Sequence, residues 1–142
     1  MDKIDKPLPE ITADKKPYWE AARRHELLLM KCANCGQYRH PLHAGDSFMC
    51  PHCNTTKPPE WAKATGRGKI LTWTVVQKAF LPAFAEEVPY IVAIATLDEG
   101  VRMTANLRGV NPEDVRENME VEVFYEKLTY DMELPQFRRR PV

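Results

Sequence analysis

Residues 32–53 read CANCGQYRHPLHAGDSFMCPHC, and this segment contains all four cysteines of the 142-residue chain. The cysteines form two Cys-x-x-Cys pairs, Cys32 with Cys35 and Cys50 with Cys53. A two-residue gap lets both thiolates of a pair face one ion, and Gly36 permits the left-handed turn that follows the first pair. Four thiolates around one ion are typical of a structural zinc site, which leaves no open position for a catalytic water. We therefore predict that these four cysteines bind Zn²⁺ for stability and perform no chemistry.

Iron, redox chemistry and disulfides are the alternatives to zinc. The N-terminal sequence MDKIDKPLP lacks the apolar core of a signal peptide, so we expect a reducing cytoplasm and no disulfides. A rubredoxin-type iron centre uses similar cysteine pairs, and a thiol-redox role also remains open. His40, His43 and His52 lie beside the cysteines and are able to replace a ligand. With four cysteines available, we expect these histidines at the surface or as hydrogen-bond donors around the site.

The charge of the chain is balanced, with 20 basic and 20 acidic residues and a formal net charge of zero. Neutralising the phosphates of a nucleic acid needs a basic excess, so this balance argues against a nucleic-acid partner. We find no apolar run of about 18 residues or more, so we expect no membrane span. A hydrophobic content of 44% is typical of a globular protein.

Three regions are predicted along the chain. Residues 1–25 form an N-terminal arm and a short helix, with Asp14 as the N-cap and Pro17 in the first turn. Within Tyr18 to Glu26, the residues Trp19, Ala22 and His25 share one face at helical spacing. Residues 26–58 form the zinc ribbon. A strand over Leu27 to Lys31 precedes its first cysteine pair, and a polar linker from Asn54 to Glu60 follows its second. Residues 59–142 form the third region.

The third region has the pattern of a five-stranded barrel. Its order is strand, strand, strand, short helix, strand, strand, which is expected of an OB fold, whereas an SH3-like barrel lacks the helix. Gly68 lies where a tightly coiled first strand needs a glycine. In the third strand Val101, Met103, Ala105 and Leu107 alternate with Arg102, Thr104, Asn106 and Arg108, so one face is core and the other faces water. The predicted segments are Arg67 to Val76, Tyr90 to Leu97, Val101 to Arg108, a helix of about two turns from Asn111, Met119 to Glu126, and Leu134 to Phe137.

A catalytic constellation is not recognisable, but one loop is unusually apolar. No nucleophile elbow, phosphate-binding loop or dinucleotide fingerprint occurs, and carboxylates such as Glu86 and Glu87 are expected as solvated loop charges.

Between the first two barrel strands, where OB folds hold ligands, the chain reads KAFLPAFA. This loop either packs on its own barrel or binds a partner or an acyl group. Arg138 begins a basic run that is either a frayed tail or a phosphate or partner contact. The candidate contact residues are Lys78, Phe80, Leu81, Pro82, Phe84 and Arg138.

The ordered set of motifs resembles one protein family. After the cysteine ribbon come Trp61, GRG at 66–68, WTVV at 73–76, VPY at 88–90, LDEG at 97–100, NL at 106–107, PED at 112–114, MEV at 119–121 and LPQF at 134–137. Their order over residues 15–140 resembles the zinc-ribbon, OB-fold proteins associated with acyl-CoA metabolism. The family's ribbon cysteines fall on Cys32, Cys35, Cys50 and Cys53.

This resemblance implies an accessory role. Family members pair with thiolases, with thiolase-fold aldolases or with hydratases of the MaoC type. We therefore expect a non-catalytic zinc-binding subunit in a hetero-oligomer, α2β2 with a thiolase-like catalytic subunit, that helps to form the CoA and acyl channel for bulky or aromatic acyl-CoA. A CoA thioester is then expected at the interface. A nucleic-acid-binding OB module, or a free acyl-CoA carrier or catalyst, are the competing hypotheses.

Overall fold

The computed structural model describes residues 7–43 and 49–141. The fold is mainly β, as predicted, and over these ranges it contains one α-helix, eight strands and three 3-10 turns. The helix is α1 (Lys16–Arg23). The strands are β1 (Leu28–Lys31), β2 (Tyr38–Arg39), β3 (Glu60–Lys63), β4 (Arg67–Val76), β5 (Tyr90–Leu97), β6 (Arg102–Arg108), β7 (Glu120–Thr129) and β8 (Met132–Arg139). The 3-10 turns are Pro41–His43, Pro82–Phe84 and Pro112–Asp114.

Helix α1 begins and ends differently from the prediction. Lys15 occupies the N-cap position, and the Asp14 carboxylate accepts a hydrogen bond from the Thr12 hydroxyl, so Asp14 as the cap was wrong. Pro17 lies in the first turn, where a missing N–H costs little. The helix stops at Arg23, and His25 lies beyond it with a φ of 60°, so the helical stripe through His25 was also wrong.

The ribbon is built on a three-stranded antiparallel sheet of order β2-β1-β3. Strand β3 pairs with β1 in a register that places Leu28 opposite Lys63 and Met30 opposite Trp61. The sequence did not reveal this pairing, because β3 is only four residues long and follows a polar linker. Only three residues separate β3 from β4, so the ribbon sheet leads directly into the barrel. The division into residues 1–25, 26–58 and 59–142 stays a prediction.

The barrel has the OB connectivity. Its strand order is β4-β5-β6-β8-β7, and β7 closes it by pairing with β4. Strands β6 and β8 are parallel, with Leu107 opposite Phe137, whereas the other neighbours are antiparallel. The predicted two-turn helix is a single 3-10 turn, because Val115 returns to an extended conformation and buries its side chain in the core.

The barrel interior follows the alternation read from the sequence. Val101, Met103 and Leu107 are buried, as predicted for the third strand, whereas Ala105 on the same face is only half-buried. Gly68 is required at a close approach, since a Cβ atom there would lie 2.7 Å from the carbonyl oxygen of Thr96. A β-bulge between Ile70 and Thr72 adds to the bend of the same strand. The sheet closes through β8, which extends to Arg139, so of the two alternatives for Arg138 the frayed tail is wrong.

Helix, ribbon and barrel share one hydrophobic core. Tyr18 and Trp19 of α1 and Leu29 of β1 belong to the same buried cluster as Ile70 and Phe137 inside the barrel. Helix α1 packs against β8 and β1. The ribbon and the barrel are therefore packed as one body rather than joined by a free linker. Over the described ranges, no helix is both long and apolar enough to cross a membrane.

Candidate metal centre and docking loop

The two cysteine pairs fold into the same turn twice. The N–H of Gly36 donates to the carbonyl of Cys32 at 3.0 Å, and the N–H of Asn54 donates to the carbonyl of Cys50 at 2.8 Å. Gly36 and Asn54 both have a left-handed backbone, with φ of 76° and 62°. Gly36 was predicted from the sequence and Asn54 was not. Asparagine nevertheless adopts this conformation more readily than most residues, and Asn54 follows Cys53 as Gly36 follows Cys35.

The four sulfur atoms lie close together in one compact group. Cys32 Sγ lies 3.7 Å from Cys53 Sγ, Cys35 Sγ lies 3.8 Å from Cys50 Sγ, and all four lie within 4.8 Å of one another. Zinc–sulfur bonds of about 2.3 Å in a tetrahedron place neighbouring sulfurs roughly 3.8 Å apart. The geometry and the all-thiolate donor set therefore fit Zn²⁺. In the part of the chain that the structure describes, this is a closed structural site without a further protein ligand.

Hydrogen bonds from N–H groups support the thiolate form of two of the four cysteines. The backbone N–H of Cys35 donates to Cys32 Sγ at 3.5 Å and is the main reason why the pKa of Cys32 is lowered to about 6. The side-chain amide of Asn34 donates to Cys53 Sγ at 3.5 Å and lowers the pKa of Cys53. Asn34, which links the two cysteine pairs, was not identified from the sequence.

The neighbouring histidines lie outside the sulfur group. His40 was predicted at the surface or as a hydrogen-bond donor around the site, and the first of these alternatives is wrong because His40 is buried. Its Nδ1 accepts from the N–H of Leu42 at 3.2 Å, and its Nε2 lies 3.3 Å from the Tyr18 hydroxyl. Because Nδ1 is an acceptor, Nε2 carries the proton and donates to Tyr18. His40 therefore joins the ribbon to helix α1. His52 is exposed, and the side chain of His43 lies outside the described residues.

The Phe80 loop, residues 77–89 between β4 and β5, contains most of the predicted contact residues. The side chain of Phe80 is 85% exposed and that of Leu81 is 48% exposed. The Lys78 ammonium lies 5.9 Å from the centre of the Phe80 ring, a cation–π contact on the same exposed tip. Phe84 is half-buried, and its ring centre lies 6.1 Å from that of Tyr90. The loop therefore has an exposed tip and a packed base.

Arg138, the remaining predicted contact residue, lies on β8. Its Nε donates to Glu122 Oε1 at 2.9 Å, and its guanidinium lies 5.5 Å from the centre of the Phe124 ring. Both of these partners belong to β7. The ion pair leaves 55% of the Arg138 side chain exposed, so an anion or a partner is still able to reach it.

A four-cysteine ribbon packed on a closed OB barrel defines the class of zinc-ribbon, OB-fold proteins. Residues 19–44 match the model of the ChsH2 rubredoxin-like zinc ribbon domain, and residues 61–125 match that of the ChsH2 C-terminal OB-fold domain. The chain belongs to this ChsH2, or DUF35, family, which confirms the resemblance to acyl-CoA-associated proteins.

Relatives and solved structures agree with this assignment. The chain is 33% identical over 135 residues to a probable enoyl-CoA hydratase alpha subunit of Thermomonospora curvata, covering 94% of this chain and 40% of the relative, so it spans less than half of that protein. It is 34% identical over 108 residues to a DUF35 domain-containing scaffold protein of Methanocaldococcus jannaschii, covering 76% of this chain and 73% of that one. A solved chain titled Ltp2-ChsH2(DUF35) aldolase superposes with a TM-score of 0.79 at 32% identity, covering 93% of this chain and 98% of that one.

Proposed function

We propose that this chain is a non-catalytic accessory subunit of an acyl-CoA processing complex in the cytoplasm, and that it binds a thiolase-type catalytic subunit through the Phe80 loop. The observation that carries the proposal is the tip of this loop, where Phe80 is 85% exposed on a packed base. A fully buried phenylalanine removes about 150–250 Å² from water, so leaving one exposed is costly unless a partner covers it. Exposed aromatic residues of this kind are typical anchors of protein interfaces.

The zinc site has a structural role in this proposal. Its four thiolates leave no open position for a substrate, so it supports the fold and contributes no catalytic group. We propose that the partner performs the chemistry, and the similarity to a relative described as a scaffold protein supports this division of roles. Lys78 and Arg138 are cationic and exposed, and we propose that they face the phosphates of CoA at the subunit interface.

A second candidate partner is an aldolase rather than a thiolase. It is favoured by the similarity to the ChsH2 chain whose title names an aldolase. A hydratase is the third candidate, because two relatives are described as hydratase alpha subunits. All three candidates act on acyl-CoA and need the same accessory role from this chain, so they differ in the partner and not in the docking surface.

Co-expression with each candidate partner tests the proposal. The chain is produced with a thiolase-like, an aldolase-like or a hydratase-like protein of the same organism, and complex formation is measured by affinity capture and by light scattering. We expect one stable complex, with a mass of two copies of each subunit. Phe80→Ala should weaken it by about 30-fold, the value for an anchor worth roughly 2 kcal/mol.

The matched control is Tyr130→Ala. Tyr130 is 89% exposed at the turn between β7 and β8, so it is an equally exposed aromatic residue outside the loop. We expect Tyr130→Ala to leave the affinity unchanged. Equal losses for both variants would show that the loop has no special role. A partner that is soluble and fully active without this chain would contradict the accessory function.

A further inference from the structure

An arginine outside the Phe80 loop fastens its base to the barrel. Arg108 is the last residue of β6, and its guanidinium reaches two carboxylates. Its Nε lies 2.7 Å from Glu126 Oε1 on β7, and its Nη2 lies 2.9 Å from Glu87 Oε1 in the loop. The side chains of Arg108, Glu87 and Glu126 are each about three-quarters buried, with exposed fractions of 24%, 23% and 26%. One cation thus joins the loop to two barrel strands.

The sequence interpretation of these residues was wrong. Arg108 was assigned to the solvent face of its strand, and Glu87 was expected to be a solvated loop charge. Arg108 does point away from the barrel interior, but the loop and β7 cover it. Burial acts to lower the pKa of Arg108, and the hydrogen bonds with Glu126 and Glu87 outweigh this and raise it, so the cation is maintained. Charge-assisted hydrogen bonds in a partly buried setting are stronger than exposed ones.

The base of the loop is ordered by its own contacts next to this ion pair. The N–H of Phe84 donates to the carbonyl of Leu81 at 3.0 Å, and the N–H of Glu87 donates to the carbonyl of Phe84 at 3.0 Å. Phe84 packs beside Tyr90 at the start of β5. Phe80 directly precedes this short folded segment, whose far end is Glu87.

We propose that Arg108 is a positioning residue that orders the Phe80 loop through Glu87 before a partner binds. This inference rests on the proposed function of the loop as a docking surface. Glu126 binds Nε of the same guanidinium and so fixes its orientation. Nη2 of Arg108 is thereby directed at Glu87. A loop that is ordered in advance loses less conformational entropy on association than a mobile one.

Hydrogen exchange of the zinc-loaded full chain tests the ordering directly. Glu87→Gln removes only the charge on the loop, and Arg108→Lys keeps the cation but replaces a planar fork with a single ammonium that cannot bridge both carboxylates in the same way. We expect exchange at the amides of residues 84, 85 and 87 to rise by about tenfold or more in both variants, with the barrel strands unchanged. The control is Arg140→Met, which removes the looser pair of Arg140 with Glu120 at 4.0 Å. Unchanged exchange in the loop would overturn the proposal.

Binding to the co-expressed catalytic subunit supplies the second readout. Glu87→Gln should raise the Kd by about 5- to 10-fold, because the loop must then be ordered during association. Phe80→Ala should weaken binding without loosening residues 84–87. If Glu87→Gln loosens the loop and the Kd does not change, the role of Arg108 is refuted while the docking function stands. If Phe80→Ala leaves the Kd unchanged, the docking function itself fails, whatever the exchange data show.

Discussion

The zinc ribbon and the Phe80 loop are held in opposite ways. The ribbon directs its four cysteine side chains toward one another, and their sulfurs lie within 4.8 Å of one another. The loop directs its tip outward, with Phe80 85% exposed, and is held at its base by the ion pair of Arg108 with Glu87. A segment whose side chains satisfy one another contributes to stability, whereas a segment that leaves a large apolar group in water has a use outside the molecule. The residues easiest to recognise in the sequence are thus not those expected to act on a partner.

Removal of zinc should produce the largest effect. Cys50→Ser, at a buried ligand, should reduce the metal content from one zinc per chain to a small fraction and unfold the ribbon, because structural zinc binding is worth about 10 kcal/mol or more. Metal analysis by mass spectrometry and near-ultraviolet circular dichroism measure both changes. His52→Ala, an exposed neighbour of Cys53, is the control and should keep one zinc. A red protein that contains iron would contradict the zinc assignment.

Substitutions of a buried and an exposed phenylalanine should distinguish a role in stability from a role in docking. Phe137 is fully buried inside the barrel, so Phe137→Ala should lower the free energy of unfolding by about 3–5 kcal/mol. Phe80→Ala should change it by less than about 0.5 kcal/mol, because its side chain is exposed. Urea unfolding of the zinc-loaded protein gives both values. A loss of several kcal/mol at Phe80 would mean that the loop packs on its own barrel and would remove the contrast with the ribbon.

The smallest expected effect is a loss of stability at alkaline pH, caused by Tyr18 where helix α1 meets the ribbon. Burial raises the pKa of Tyr18 above its usual value, so the unfolded chain releases this proton near pH 10 while the folded chain still holds it. The free energy of unfolding should therefore fall as the pH rises above about 10, by about 1.4 kcal/mol per pH unit for this one proton. Tyr18→Phe should make the decline shallower, with Tyr130→Phe as the exposed control. Identical slopes in thermal melts between pH 9.5 and 11 would contradict the assignment.

The sequence predicted the barrel well because its strands are long and their alternation is local. The bounds of β4 and β5 match the predicted segments, and the OB fold was predicted from the order of the five strands and the short helix. Helix α1 was predicted less well, since Asp14 satisfies the rule for an N-cap but hydrogen-bonds with Thr12 instead. A residue type indicates which hydrogen bonds a side chain is able to form, and only the surrounding fold determines which of them it does form.

The metal site was predictable and the loop was predictable only in part. The cysteine spacing is a local signal that specifies the ligands, and even Asn54 repeats the pattern of Gly36. The supports of the loop come from distant strands: Arg108 and Glu126 lie 21 and 39 residues after Glu87 in the chain. Their meeting depends on the parallel approach of β8 to β6 and on the antiparallel pairing of β8 with β7, neither of which a periodicity reveals.

The last strand has a consequence for synthesis of the chain. Strand β8 pairs with both β6 and β7, so the barrel cannot close until Arg139 has left the ribosome. The ribbon sheet, in contrast, is complete once Lys63 has emerged, roughly 75 residues earlier. At translation rates of about 5–20 residues per second, the ribbon then has about 4 to 15 s to capture its ion while the open barrel strands are still being made. Folding of the nascent chain is thus expected to be vectorial: the ribbon sheet binds its zinc ion first, and the barrel closes beside it afterwards.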